Sequence, residues 1–139
     1  MEKSCGIILY TNIERKRYYL LIKDERGKIG FPKGHIEKNE TELECALRET
    51  WEETSIMPDI NSKFYKQIQY RLPNGSIKHV VYYLGYFEKQ VPTHQQGYEH
   101  FEYLLLTYQE AIRALTHDNT KKILLDAESY LNQGWHYSF

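Results

Sequence analysis

Glu49, Glu52 and Glu53 stand at i, i+3 and i+4 in the segment Thr41–Glu53, and that spacing constrains this chain more than any other feature. The segment reads as a helix, and on a helix the three carboxylates share one face, stacked a turn apart. Like charges at this spacing repel by roughly a few tenths of a kcal/mol per pair. They also fall near the C-terminal end, where the helix dipole disfavours anions. A fold that keeps this helix must bring something positive to it. Arg48 is one candidate, yet one guanidinium cannot neutralise three carboxylates. A divalent cation is the other. Hard oxygen donors clustered on a rigid helix suit Mg²⁺ or Mn²⁺, which usually keep several waters and share phosphate oxygens of a substrate. Taken alone, such a triplet is also compatible with a solvated acidic face.

The residues just upstream favour the cation. Phe31-Pro32-Lys33-Gly34-His35 sets a lysine beside a glycine in an extended loop before the helix. The glycine permits close approach of a ligand, and Lys33 places a point charge where phosphate can sit. Glu40 lies at the helix start, where Asn39 or Thr41 can act as the N-cap. A basic loop, a glycine and an acidic helix are the arrangement expected for a metal-bound polyphosphate.

The remaining segments supply the frame. Ser4–Thr11 and Tyr18–Lys23 read as strands, with a turn over Asp24–Lys28 and a short extended piece over Ile29–His35. Lys63–Tyr70 and His79–Phe87 read as a strand pair around Pro73-Asn74-Gly75. Gly97–Leu106 holds another strand, and Tyr108–Leu115 and Asn119–Leu131 read as helices. In the last helix Ile123, Leu124, Ala127, Tyr130 and Leu131 share one face. Strands mixed with helices of this length predict an α/β or α+β domain with helices packed on a sheet. On the helix Thr41–Thr54, Leu43, Leu47, Thr50 and partly Ala46 are expected to face the core, with Cys45 as packing and Trp51 away from the carboxylates.

At 139 residues the chain is expected to be a single domain over 1–139. Eighteen Lys+Arg against 19 Asp+Glu give a net charge of −1, which supplies no broad basic field, so long nucleic acid is not an expected partner. Cys5 and Cys45 cannot make a disulfide framework, and a reducing cytoplasmic compartment is expected. The apolar run at the N-terminus is too short for a signal core or a membrane span. Nothing points to an obligate protein partner. Most of the 13 tyrosines suit strands, and some suit base stacking.

The sequence resembles the Nudix hydrolases. Their box runs Gly, five residues, Glu, seven residues, then Arg-Glu-apolar-x-Glu-Glu-x-Gly-apolar. Here Gly34, Glu40, Arg48, Glu49, Glu52, Glu53 and Ile56 fall in that frame, so the box spans 34–56. Matches of this kind arise by chance on the order of 10⁻⁷ per window. Thr50 stands where an apolar residue is usual, and Ser55 replaces the closing glycine of the left-handed helix exit, at a cost of about 1 kcal/mol. The stretch Ala46–Thr50, Cys5-Gly6, Pro32–His35, Lys78–Leu84, Glu99-His100 ahead of Tyr103, and Glu110-Ala111 resemble the asymmetrical diadenosine tetraphosphate hydrolase branch. Ile29 departs from it, standing where a tryptophan often precedes the loop.

The resemblance implies a Nudix fold, a mixed sheet sandwiched between helices with the box as loop–helix–loop. It implies Mg²⁺-dependent hydrolysis of a nucleoside diphosphate linked to another group, by in-line attack of a metal-activated water, with Mn²⁺ as an alternative ion. Within the branch the substrate is diadenosine tetraphosphate, cleaved to ATP and AMP. Glu49, Glu52 and Glu53 would hold the metal, with Glu40 as an accessory ligand and Glu99 as a further ligand or the general base. Arg48 would orient Glu49 or its neighbours by a charge-assisted bond. Lys33, Gly34, His35, Lys78 and His100 would meet phosphate, and Tyr70 and Tyr103 would stack on adenine. The alternatives are a Nudix pyrophosphatase acting on (d)NTPs, nucleotide sugars or RNA 5′ ends, and a catalytically silent nucleotide sensor.

Overall fold

The computed structural model describes residues 2–88, 90–95, 97 and 100–136, with side chains as far as residue 133. Strand β1 (Glu2–Ile13) runs through the centre of the sheet, followed by β2 (Lys16–Lys23), β3 (Ile29–Gly30) and β4 (Lys33–His35). Helix α1 (Glu42–Thr54) comes next, then β5 (Asp59–Arg71), β6 (Ile77–Tyr86), β7 (Glu102–Thr107), α2 (Tyr108–Ala114) and α3 (Asp118–His136). Each element read from the sequence is present, with ends shifted by a few residues.

The sheet is mixed. β1 pairs in parallel with β6 and antiparallel with β2 and β4, and β5 closes the edge beyond β6. β1 buries six successive residues, Ser4–Leu9, as a strand covered on both faces does. The alternation of its side chains divides the core in two. Cys5, Ile7 and Leu9 pack with Leu20 and Val81 against Cys45, Ala46 and Ile56 on the α1 side. Ile8, Tyr19, Leu21, Val80, Tyr82 and Leu84 pack on the other side, against Ala111, Leu115, Ile123, Leu124 and Ala127 of α2 and α3. The sheet therefore lies between helices, as expected. No described helix is long and apolar enough to cross a membrane.

The feature that builds the site is a fork. β1 and β2 pair from Leu9↔Leu20 to Ile13↔Lys16, and then part. In the gap β3 pairs with β2 at Ile22↔Gly30, and β4 pairs with β1 at Gly6↔Lys33 and Cys5↔Gly34. Gly6 allows this: a Cβ there would lie 2.4 Å from the Pro32 carbonyl oxygen and 2.7 Å from Lys33 Cβ. The loop Phe31–His35 is thus wedged into the sheet, directly beneath α1.

Candidate functional site

Helix α1 begins at Thr41, whose side chain accepts from Glu44 N–H while the Glu44 carboxylate accepts from Thr41 N–H. Thr41 is the cap, and Asn39 instead takes a left-handed turn at φ 66°. The helix ends at Ser55, which adopts the left-handed conformation (φ 58°) that glycine would take more cheaply. Leu43 and Leu47 are only half-buried, whereas Cys45, Ala46, Glu49, Thr50, Glu53 and Thr54 are buried. So the buried face of the helix carries two of the three glutamates into the protein, and Trp51 is 43% exposed on the other side.

Arg48 gathers the acidic groups. Its Nε donates to Glu40 Oε2 at 2.6 Å and its Nη2 to Glu40 Oε1 at 3.1 Å. Its Nη1 donates to Glu49 Oε1 at 2.8 Å and to Glu52 Oε1 at 3.2 Å, and lies 3.6 Å from Glu37 Oε1. Its Nη2 also donates to the His35 carbonyl at 2.9 Å, fixing the loop to the helix. This guanidinium holds the Glu40 carboxyl below the usual carboxylate range. Arg48 thus bonds Glu40, Glu49 and Glu52 rather than facing open solvent.

Glu53 escapes that grip. It accepts a bond from Lys33 N–H at 3.3 Å. Burial, together with the charges of Glu49 and Glu52, pushes its carboxyl up to about 9. Burial pushes Glu49 upward as well. Lys33 is pushed down to about 8 by burial and by the charge of Lys78. Burial thus raises an acid and lowers a base at one cleft, the mark of a place built for charged ligands.

A hard divalent cation fits the residues present. The donor atoms are all carboxylate oxygens, the set such ions prefer. Gly34 leaves room where a Cβ would fall 2.0 Å from the Glu49 carboxylate. Glu53 is a desolvated acid pressed against like charge, which a cation relieves. Among the described residues, no three His, Cys, Asp or Glu side chains are already gathered as a finished metal cage; Glu40, Glu49 and Glu52 are turned toward Arg48.

A cleft of about 340 Å³ brings Glu53 together with Lys33, Tyr70, Phe31, Phe101 and His117. Lys78 stands opposite Tyr70 in the β5–β6 register. An acid, a lysine and aromatic rings therefore share one concavity. Three expectations meet different outcomes. Tyr103 packs on the α1 side of the sheet and Tyr70 on the other, so they do not form one clamp; the Tyr103 hydroxyl donates instead to the Glu53 backbone carbonyl. The His35 ring is exposed and sits 3.3 Å from Glu2 Oε1, while its carbonyl serves Arg48. His100 is exposed and lines a neighbouring dish with Asp24, Arg26 and Lys28. Glu99 lies outside the described residues. Sequence reasoning missed His117, which lines the cleft with Tyr70. The turn bearing it is tied to β3 by Thr116 N–H to Ile29 O (3.1 Å) and Ile29 N–H to Thr116 Oγ1 (2.8 Å), contacts with no local signature.

Comparison with known proteins agrees with this architecture. The NUDIX domain family model matches residues 3–127. The asymmetrical bis(5′-nucleosyl)-tetraphosphatase of Mus musculus is 27% identical over 146 residues, covering 93% of this chain and 95% of that protein. An RNA pyrophosphohydrolase of Psychrobacter cryohalolentis is 35% identical over 63 residues, covering 43% of this chain and 36% of that protein. The crystal structure of a C. elegans Ap4A hydrolase binary complex superposes with a TM-score of 0.88 at 23% identity, covering 96% of this chain and 99% of that one.

Proposed function

The chain belongs to the NUDIX family and is a pyrophosphohydrolase acting on phosphorus-containing anhydrides; from that premise, we propose that it hydrolyses diadenosine tetraphosphate asymmetrically, to ATP and AMP, with Mg²⁺, in the cytoplasm. The carrying observation is the single cleft shared by Glu53, Lys33 and Tyr70. The similarity to asymmetrical tetraphosphatases over 93% of the chain supports the choice of substrate. Cys5 and Cys45 are free and buried, which suits a reducing compartment.

In this reading Glu49, Glu52 and Glu53 hold Mg²⁺, and Glu40 assists. The ion supplies charge neutralisation on the phosphate oxygens and activation of the attacking water. Lys33 and Lys78 hold the polyphosphate, their two positive charges facing its anionic oxygens. Gly34 lets the backbone approach. Arg48 positions Glu49 and Glu52. Tyr70 stacks on one adenine, and His117 borders the same space. Glu99 is the remaining candidate base.

The test is product analysis. Purified protein is incubated with Mg²⁺ and diadenosine tetraphosphate, dATP, ADP-ribose, a nucleotide sugar or triphosphate-ended RNA, and products are separated by anion exchange. ATP plus AMP from the tetraphosphate, well ahead of the rest, is expected. Faster removal of pyrophosphate from RNA ends would replace this substrate with the one suggested by the shorter Psychrobacter match. Absence of turnover with Mg²⁺ and Mn²⁺ would turn the protein into a nucleotide sensor. Glu52→Gln should fold normally and lose activity by orders of magnitude.

A further inference from the structure

Behind Tyr70 the cleft continues into a more enclosed cavity of about 290 Å³. That is the lower end of the range for small-molecule sites, about 300–1,000 Å³. Ile68, Tyr70 and Tyr82 line one side, and His117, Asn119 and Thr120 the other. Lys33 lines both spaces, so a nucleotide lying with its phosphates at Lys33 directs its base inward.

The polar groups around that base are not equally available. The Thr120 hydroxyl is committed to the His117 carbonyl at 2.7 Å. Tyr82 is buried, its ring edge-on to Phe31. Asn119 is half-buried, and its side-chain amide makes no hydrogen bond among the described residues. It stands on the first turn of α3, and the turn ahead of α3 is pinned to β3 through Thr116 and Ile29. A half-buried amide with no protein hydrogen bond among the described residues, at the wall of this cavity, is placed to pair with whatever enters.

An amide presents one donor beside one acceptor. Adenine offers the complementary pair on both of its accessible edges, N6–H with N7 and N6–H with N1. Guanine offers it across O6 and N1–H, and otherwise only across N2–H and N3, on the edge that the ribose crowds; its N7 edge shows two acceptors and its N1/N2 edge two donors. We propose that Asn119 is a specificity-determining residue that reads the base in this cavity and selects adenine over guanine. This rests on the reading of the cleft as a nucleotide site and adds the base it accepts.

The experiment measures equilibrium binding of AMP and GMP by calorimetry, alongside turnover of diadenosine and diguanosine tetraphosphate, for the wild type, Asn119→Ala and Asn119→Asp. Asp is favourable in the first turn of a helix, so the second variant keeps the fold. The wild type is expected to bind AMP more tightly than GMP by about tenfold, within the discrimination of one bidentate contact. Asn119→Ala brings that ratio toward one, and Asn119→Asp, which only accepts, inverts it toward the two donors of guanine. A ratio unchanged in both variants, or no binding of either nucleotide by the wild type, overturns the proposal. Base preference that depends on Asn119 without cleavage of any tetraphosphate upholds it and removes the proposed reaction. Cleavage with a base preference indifferent to Asn119 does the reverse.

Discussion

The carboxylate of Glu49 lies where a side chain on Gly34 would have to be: a Cβ there would come within 2.0 Å of Glu49 Cδ and Oε2. The loop and helix α1 are therefore fitted to each other at Gly34 and Glu49. Gly34→Ala should force the carboxylate or β4 to move, with a loss of about 1–3 kcal/mol of stability and a fall in kcat. A double-mutant cycle measured by urea unfolding checks the cause. In a Glu49→Ala background, Gly34→Ala should cost clearly less. Equal costs in the two backgrounds would place the strain elsewhere.

Arg48 touches four glutamates and one carbonyl through a planar fork. A lysine ammonium can occupy only one point among them. Arg48→Lys is expected to lower metal affinity or turnover by about 10–100-fold, the usual effect of losing an orienting partner. The measurement is Mg²⁺-dependent kcat for the two proteins. Near-normal kinetics of the lysine variant would mean that charge alone, not geometry, is required.

Much of this was readable in the chain because the information was local. The periodicity of Glu49, Glu52 and Glu53 and the neighbouring Lys33-Gly34 announce the acid centre before any folding is considered. The apolar run Cys5–Leu9 announces a central strand. The side of the cleft that holds Tyr70 and His117 was less legible, since it depends on residues far apart in sequence. His117 reaches the cleft only because Thr116 bonds to Ile29, 87 residues away. Tyr103 and Tyr70 looked equivalent as aromatic strand residues; the face of the sheet that each takes is fixed by register with β2 and β6, which one sequence does not state. Likewise Arg48 was predicted to orient Glu49 or its neighbours, but its reach to Glu40 and Glu37 required the turn before the helix.

That separation of the tyrosines can be tested directly. Tyr70→Leu removes the ring at the cleft and should raise KM for diadenosine tetraphosphate by roughly 5- to 100-fold, the equivalent of about 1–3 kcal/mol of stacking. Tyr103→Leu should leave KM unchanged while lowering stability, since it loses core contact and the bond to the Glu53 carbonyl. Steady-state kinetics and thermal unfolding of both variants decide. An equal rise in KM would return Tyr103 to the base site.

Two departures from the family pattern should each be improvable. Thr50 is fully buried, and its Oγ1 has no partner among the described residues. Val has the same shape without the stranded hydroxyl, so Thr50→Val should gain about 1 kcal/mol. Ser55 holds φ at 58°, which glycine adopts without strain. Ser55→Gly should gain up to about 1 kcal/mol, reduced by loss of the exposed bond from Gln95 Nε2 to Ser55 Oγ. Urea midpoints at constant slope measure both. A stability loss in Thr50→Val would show that the hydroxyl has a role in the folded helix.

The pH dependence of the metal-free protein follows from Glu53. Its folded-state carboxyl is raised to about 9 by burial and by the nearby Glu49 charge. A raised acid binds its proton more tightly in the folded state than in the unfolded one, so its contribution to stability is fully present below about 4.5 and declines as pH rises toward 9. Lys33, lowered to about 8, acts in the opposite sense, but only above that value. Between pH 5 and 7.5 Lys33 adds nothing, and the raised carboxyls of Glu53 and its neighbour Glu49 act in the same sense. In EDTA, unfolding should therefore show a stability that falls across this window, and Glu53→Gln, which carries no proton to lose, should flatten the slope. Adding Mg²⁺ should restore stability most at the upper end, where the carboxylate is most readily freed of its proton. Identical slopes for the wild type and Glu53→Gln would show that this carboxyl titrates in its ordinary range.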